Sequence, residues 1–291
     1  MLTIALYKEG NVGMQTGTLY LVATPIGNLG DLSQRAIDTL GLCDMIAAED
    51  TRRTVTLLNH LAIKKPLLSY YEHNKKERGG EIIERLLKGE NVALVTDAGT
   101  PAISDPGEDM VRLCATENIP VISIPGACAL ISGLIISGLS TGRFCFEGFL
   151  SVNKKQRREH LLAVKDETRT MIFYEAPHKL RATLADFYET WGERKIALCR
   201  EITKIHEDVM RTTLSRAISH YEEVSPRGEY VLVIEGAAPR VVDTSDIDPV
   251  ELVEILVTDG MDQKSAIKEA AQKLGIPKRE VYEKVHGLSS K

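Results

Sequence analysis

Long apolar runs are missing from this 291-residue chain. The longest weakly polar stretch, Pro125 to Leu139, is broken by Ser and Gly and falls short of the ~18–20 continuous apolar residues that a bilayer-spanning helix needs. No basic segment followed by an apolar core and a small-residue cleavage site lies between Met1 and Gly17, so no secretory signal is expected and the protein is expected in the cytosol. Cysteines are few, and Cys43, Cys114, Cys128, Cys145 and Cys199 form no Cys-x-x-Cys pair. That pattern disfavours both a disulfide framework and a structural zinc site; reduced thiols are expected. Seven histidines are dispersed without a His-Glu-x-x-His spacing, so metal binding gains no support. Positive charge is not in excess either. With 36 Lys and Arg against 41 Asp and Glu, the formal net charge is -5, which excludes a globally basic nucleic-acid coat but not a local basic patch.

What the chain does have is a strand–helix rhythm. At roughly 100–200 residues per domain, the length suggests two globular domains. From Thr18 onward the apolar runs TLYLVAT, MIAAED, LLSYY, VALVTD and VISIPG alternate with amphipathic stretches, the pattern of a parallel sheet covered on both faces. A second set, FCFEGF (144–149), TMIFYEA (170–176), KIALCRE (195–201) and GEYVLVIEG (228–236), is interleaved with polar helical stretches at 153–166, 178–190 and 213–224. The expected architecture is α/β, with two α/β domains forming a cleft, residues 17–128 and 129–237, preceded by an extension over 1–16. An aperiodic linker follows over 238–248. Residues 249–291 carry three short helical patterns, with Asp262 and Pro277 as start signals and Gly275 as a stop, which reads as a helix-turn-helix-like tail or as a small packing bundle.

The chemical signals cluster in loops after strand C-termini, where open α/β sheets bind ligands. VATPIGNLGDLSQRA (22–36) combines Pro25, Gly27 and Gly30 with a helix-capping Asp31, and reads either as a substrate or cofactor platform or as an ordinary strand-to-helix turn. It matches neither the dinucleotide fingerprint nor the phosphate loop. AAEDTRRT (47–54) delivers Glu49 and Asp50 into a turn followed by Arg52 and Arg53; the acids read as helix caps or as proton acceptors. TDAGTPAISDPG (96–107) is more irregular than a connection requires, with Asp97, Ser104 and Asp105 as side-chain partners for a cofactor's amino-acid portion. SIPGACA (123–129) opens a helix with small residues that permit close approach of a ring or ribose. In YEAPHKL (174–180), Glu175 and His178 flank Pro177, and His178 reads more readily as a cap or surface residue than as a catalyst.

In this order the stretches LYLVATPIGNLGD, AAEDTRRT, SYYEHN, LVTDAGTPAISDPG, SIPGACA, FYEAPHKL, CREITKIHE and GEYVLVIEG resemble the ribosomal RNA small-subunit methyltransferase I family, a branch of the tetrapyrrole methylase superfamily. The resemblance runs from about Gly17 to Gly236, and the helical tail resembles that family's C-terminal extension. It implies S-adenosylmethionine as methyl donor, a homodimer, and 2′-O-methylation of a cytidine ribose in the decoding region of 16S ribosomal RNA, either as free rRNA or in the small ribosomal subunit. Donor contacts implied by the resemblance fall on Pro25, on Asp97, Ala98, Gly99, Thr100, Pro101, Ile103 and Ser104, on Cys128 and Ala129, and on Tyr174 and Glu175. Where tetrapyrrole enzymes usually carry Gly-Asp-Pro this chain reads Gly99-Thr100-Pro101, so the role of that acid is absent or moved to Asp97 or Asp105.

Asp50, Glu49 and Asp105 are the candidate general bases, with Arg52, His73 and Asn74 orienting the ribose or its phosphates. Lys154, Lys155, Arg157 and Arg158 form the densest basic run, read as a phosphate grip or as a solvated helix face. Two rivals stand beside this reading: a tetrapyrrole C-methyltransferase of the same superfamily, and a non-catalytic RNA-binding assembly factor.

Overall fold

A computed structural model describes residues 16–238 and 248–287. The proposed extension apart from Thr16, the linker apart from Ala238 and Asp248, and residues 288–291 lie outside the described residues. The chain divides into one compact unit ending at Ala237 and a second beginning at Ala238.

The first sheet contains β1 (Leu19–Val22), β2 (Met45–Ala48), β3 (Leu67–Ser69), β4 (Val92–Val95) and β5 (Val121–Ile124), all parallel, in the order β3-β2-β4-β1-β5. Alternate residues of β2 and β4 go to opposite faces, and both faces are apolar. Met45, Ala47, Val92 and Leu94 pack with α3 (Lys75–Leu87) and α4 (Glu108–Thr116) through Ile82, Leu86, Met110 and Cys114. Ile46, Ala48, Ala93 and Val95 pack with α1 (Gln34–Leu42) and α2 (Thr51–His60) through Ala36, Leu40 and Leu58. Such double burial is why these strands read as near-continuous hydrophobic runs.

The second sheet contains β6 (Phe144–Phe149), β7 (Thr170–Glu175), β8 (Lys195–Arg200), β9 (Asp208–Thr213) and β10 (Tyr230–Ile234), in the order β6-β7-β10-β8-β9. Only β6 and β7 pair in parallel; the other three pairings are antiparallel. One face packs against α6 (Lys154–Ala163), α7 (Leu180–Trp191) and α8 (Leu214–Glu223), with Phe173 and Phe187 at its centre. The other receives α5 (Ala129–Ile136) through Leu130 and Leu134, together with Ile26 from the first half. Strand β9 has no counterpart in the sequence reading. Its residues, DVMRTT, are mostly polar and it is a sheet edge, so no apolar pattern announces it.

The C-terminal unit is built from α9 (Pro249–Thr258), α10 (Gln263–Leu274) and α11 (Lys278–Val285) around Leu252, Val253, Ile267, Ala270 and Val281. The expected stop and start signals act there: Asp262 accepts from Ser265 N at 3.1 Å as an N-cap, and Gly275 ends α10 at φ 66°.

Among the described residues no helix is long and apolar enough to cross a membrane. All five cysteines are free.

Candidate active site

Parallel pairing places the ends of β1, β2, β4 and β5 at one edge of the first sheet, and the loops that leave them are knitted together there. Thr24 N donates to Gly99 O at 2.8 Å and Gly99 N returns to Thr24 O at 3.1 Å. The Thr24 hydroxyl donates to Thr96 O at 3.1 Å, and the Thr100 hydroxyl donates to Ala127 O at 3.0 Å. Thr100 therefore ties the loop after β4 to the loop after β5. Two glycines permit the approach: Gly99 has φ +92°, and a Cβ on Gly126 would lie 2.8 Å from the Ala23 Cβ. Pro25 is half-buried beside this junction and Pro101 is buried, whereas Ala98, Ile103 and Ser104 are exposed. Ala102 and Ser104 have φ of 68° and 62°, a conformation disfavoured for side-chain-bearing residues and often retained at functional sites.

Four carboxylates gather at the same edge. The β2–β4 register sets Ala48 against Val95, so Glu49 emerges beside Thr96. Glu49 Oε2 accepts from the Thr96 hydroxyl at 2.8 Å and from Asp97 N at 3.3 Å. Asp97 Oδ1 in turn accepts from Asp50 N at 3.1 Å, and its other oxygen lies 3.4 Å from Arg53 Nη1. Burial, with Glu49 nearby, raises the Asp97 carboxyl above its ordinary value. Burial likewise raises Asp105 to about 6; the neighbouring Thr96 side chain opposes this, and Glu49 and Asp97 add repulsion. Asp50 is different. It is the N-cap of α2, accepting from Arg52 N at 2.9 Å, and it forms a bidentate pair with the Arg52 guanidinium at 3.0 and 2.7 Å. Those hydrogen bonds hold its carboxyl down at about 2. Among the described residues no group of three or more His, Cys, Asp or Glu is arranged to hold a metal ion.

The second half contributes an aromatic wall. Tyr174 lies between Phe146 and Phe149, with ring centroids 4.9 and 5.4 Å away in edge-on geometry. Its hydroxyl accepts from Leu130 N at 3.0 Å in the first turn of α5, where Cys128 caps the helix without a side-chain bond and Ala129 follows. Burial, with smaller contributions from Cys128 and Asp105, raises the Tyr174 phenol above its ordinary value. A Cβ on Gly148 would stand 3.6 Å from Ser104 Oγ, a second point of approach. A third is Lys204: its stem lies over Gly27, where a Cβ would be 2.4 Å from Lys204 Cγ, and its ammonium pairs with Glu201 and Glu229 at 2.9 and 2.7 Å.

Some sequence candidates are occupied by internal partners. Glu175 is 4% exposed, and its carboxylate accepts from the Thr183 hydroxyl and, at 2.9 Å, from Ala176 N, so it faces the domain interior. Arg157 turns away from its basic neighbours to Asp186 at 2.5 Å and Thr183 at 2.8 Å. Asn74 accepts from Tyr71 N at 2.8 Å and donates to Ser69 O at 3.0 Å, which closes the turn before α3. His73, Arg52, Lys154, Lys155 and Arg158 are exposed. The sequence reading did not single out Thr96, Phe146 or Phe149; the glycine in FCFEGF was the available signal for an irregular strand at 147–148.

The two-sheet α/β unit belongs to the tetrapyrrole methylase class. Residues 18–218 match the profile of the Tetrapyrrole (Corrin/Porphyrin) Methylases. Among solved structures, uroporphyrin-III C-methyltransferase from Thermus thermophilus complexed with S-adenyl homocysteine aligns with a TM-score of 0.54 at 14% identity, covering 75% of this chain and 97% of that one. A diphthine synthase aligns with a TM-score of 0.57 at 13% identity, covering 76% and 90%. At those identities the likeness is one of fold. The ribosomal RNA small subunit methyltransferase I of Synechocystis sp. is 48% identical over 271 residues, covering 92% of this chain and 96% of that protein. Its counterpart in Bacillus subtilis is 46% identical over 275 residues, covering 93% and 94%. The chain belongs to the ribosomal RNA small subunit methyltransferase I family.

Proposed function

We propose that this protein is an S-adenosylmethionine-dependent methyltransferase acting on the 2′-hydroxyl of a cytidine in the decoding region of 16S ribosomal RNA, and that it works as a homodimer in the cytoplasm. The observation that carries the reading is the convergence of the β1, β4 and β5 loops, beside Asp105 and Tyr174, in a chain whose relatives are named for small-subunit ribosomal RNA methylation. The start of α5 at Cys128 and Ala129, where the Cys128 side chain makes no cap bond, suits the donor's carboxylate, because a helix N-terminus favours negative charge. The close-packed glycines at 99 and 126 leave the loop backbone, from Asp97 to Ser104, near enough to line the rest of the donor beside Pro25 and Tyr174. When bound, the donor supplies a methyl group on a positively charged sulfur.

The chain's own task is alignment and proton removal. Positioning two reactants in line lowers a barrier by roughly 7–11 kcal/mol. A base is most effective with a pKa near the working pH, and Asp105, at about 6, meets that condition better than Asp50, at about 2. Asp105 therefore takes the proton of the attacking hydroxyl, and Glu49 and Thr96 position it. Asp50 caps α2 and holds Arg52, which, with His73, faces the acceptor RNA; Asn74 holds the turn beside them. Lys154, Lys155 and Arg158 grip phosphates. Lys154 and Lys155 lie in the first turn of α6, where cations oppose the helix dipole. Exposed Ile122 and Ile135, on the β5 edge and on α5, offer apolar surface for a second copy.

The test is methyl transfer from labelled donor to 30S subunits, to free 16S RNA and to a porphyrin precursor in parallel. Label recovered as an alkali-resistant cytidine linkage is the expected result. Label on the porphyrin, label on a base, or none despite donor binding would each exclude this reading. Light scattering gives the oligomeric state.

A further inference from the structure

Successive residues of a strand alternate between faces, so Phe146 and Phe149, three positions apart, should lie on opposite sides of the second sheet. They do not. The β6–β7 register shifts between Phe146 and Gly148: Phe146 pairs with Ile172, Gly148 with Phe173, and Phe149 with Tyr174. This bulge, with Gly148 at φ +66°, swings Phe149 onto the same side as Phe146, and both rings meet Tyr174. Bulges commonly re-aim a side chain beside an active site. Here the bulged residue is fixed from behind, because Glu147 Oε2 lies 2.8 Å from His160 Nε2 on α6.

The outcome is costly in water: the re-aimed Phe149 is 57% exposed, at the point where Gly148 approaches Ser104. The chain then runs directly into the exposed cations Lys154, Lys155 and Arg158. An exposed aromatic ring braced by a second ring and followed by basic side chains is the arrangement used to stack an unpaired base while gripping its backbone. We propose that Phe149 is the platform on which the base of the target nucleotide stacks once it is splayed out of the RNA, so that the bulge at Glu147–Gly148 sets the distance between base and donor. The proposal rests on the RNA-methylating reading given above.

The experiment measures methyl transfer to 30S subunits by wild type and by Phe149→Ala, Phe149→Trp and Val152→Ala, with donor binding by calorimetry and mass by light scattering. Phe149→Ala should lower kcat/KM for RNA about 10- to 100-fold, as expected for loss of one base–aromatic stack, with donor affinity and mass unchanged. Phe149→Trp should retain most activity. Val152→Ala, at a neighbouring residue that is 80% exposed, should behave as wild type. Wild-type rates in Phe149→Ala, equal losses in the Ala and Trp variants, weakened donor binding, or a change of mass marking Phe149 as a contact between copies would each overturn the proposal. If wild type itself transfers no methyl to RNA, the functional reading fails, and this proposal with it; a difference confined to Phe149→Ala leaves that reading intact.

Discussion

Asp105→Asn is expected to remove most turnover while making the fold more stable at neutral pH. Burial raises the Asp105 carboxyl from 3.8 to about 6, and Glu49 and Asp97 add to the rise. Between those values the folded state binds more protons than the unfolded one, so stability is lost as pH climbs through the window and the full penalty is present above it. At ~1.4 kcal/mol per pH unit the rise corresponds to about 3 kcal/mol, which solvent reaching the partly exposed side chain reduces to about 1–2 kcal/mol. An amide carries no such penalty. Urea unfolding of the variant should therefore exceed wild type by that amount at pH 7.5, and the two curves should converge near pH 4. In parallel, wild-type kcat/KM should fall about tenfold per pH unit below about 6, as the base becomes protonated. The matching assay is label transfer to 30S subunits across pH 5–8. A flat profile over that range, or a variant with undiminished turnover, would refute the assignment of the base.

Four further outcomes are expected. Gly126→Ala places a methyl 2.8 Å from the Ala23 Cβ and forces the first and fourth loops apart, so calorimetry should find donor affinity reduced at least tenfold. Tyr174→Phe removes the acceptor from Leu130 N; denaturant titration should record a loss of about 1 kcal/mol, and donor affinity should weaken. Charge reversal at Lys154, Lys155 and Arg158 should flatten the salt dependence of RNA binding by roughly 0.7–0.9 in slope for each phosphate that is no longer neutralised. Arg157→Ala, by contrast, should leave that slope unchanged but destabilise the fold by about 1.5–3 kcal/mol, because Arg157 is bonded to Asp186 and Thr183.

The first sheet was legible because both faces of each inner strand are covered, which writes unbroken apolar runs into β2 and β4. The second sheet was legible where it is buried and silent at β9, whose polar edge carries no period. The acids at 49, 50, 97 and 105 could be named from their loops, but not ranked. Which of them meets which depends on the β2–β4 register, and whether Asp50 caps a helix or faces a substrate depends on the position of the Arg52 guanidinium. Arg157 shows the same limit. A run of four basic residues reads as one patch, yet one helical turn directs its members differently, and only the partners on α7 decide which of them turns inward. Bringing Phe146 and Phe149 to one face of the sheet required a bulge, and a single glycine in a strand announces irregularity without saying which ring it will redirect.

The stem of Lys204 lies where any side chain at position 27 would have to begin, and Gly148 lies against Ser104 elsewhere on the seam. The two halves are therefore in contact at both places. On the proposed reading, a seam already in contact before a ligand binds diverts little binding energy into closure. On that reading, access is a matter of shape, and a slender, extruded nucleotide is favoured over a bulky folded surface.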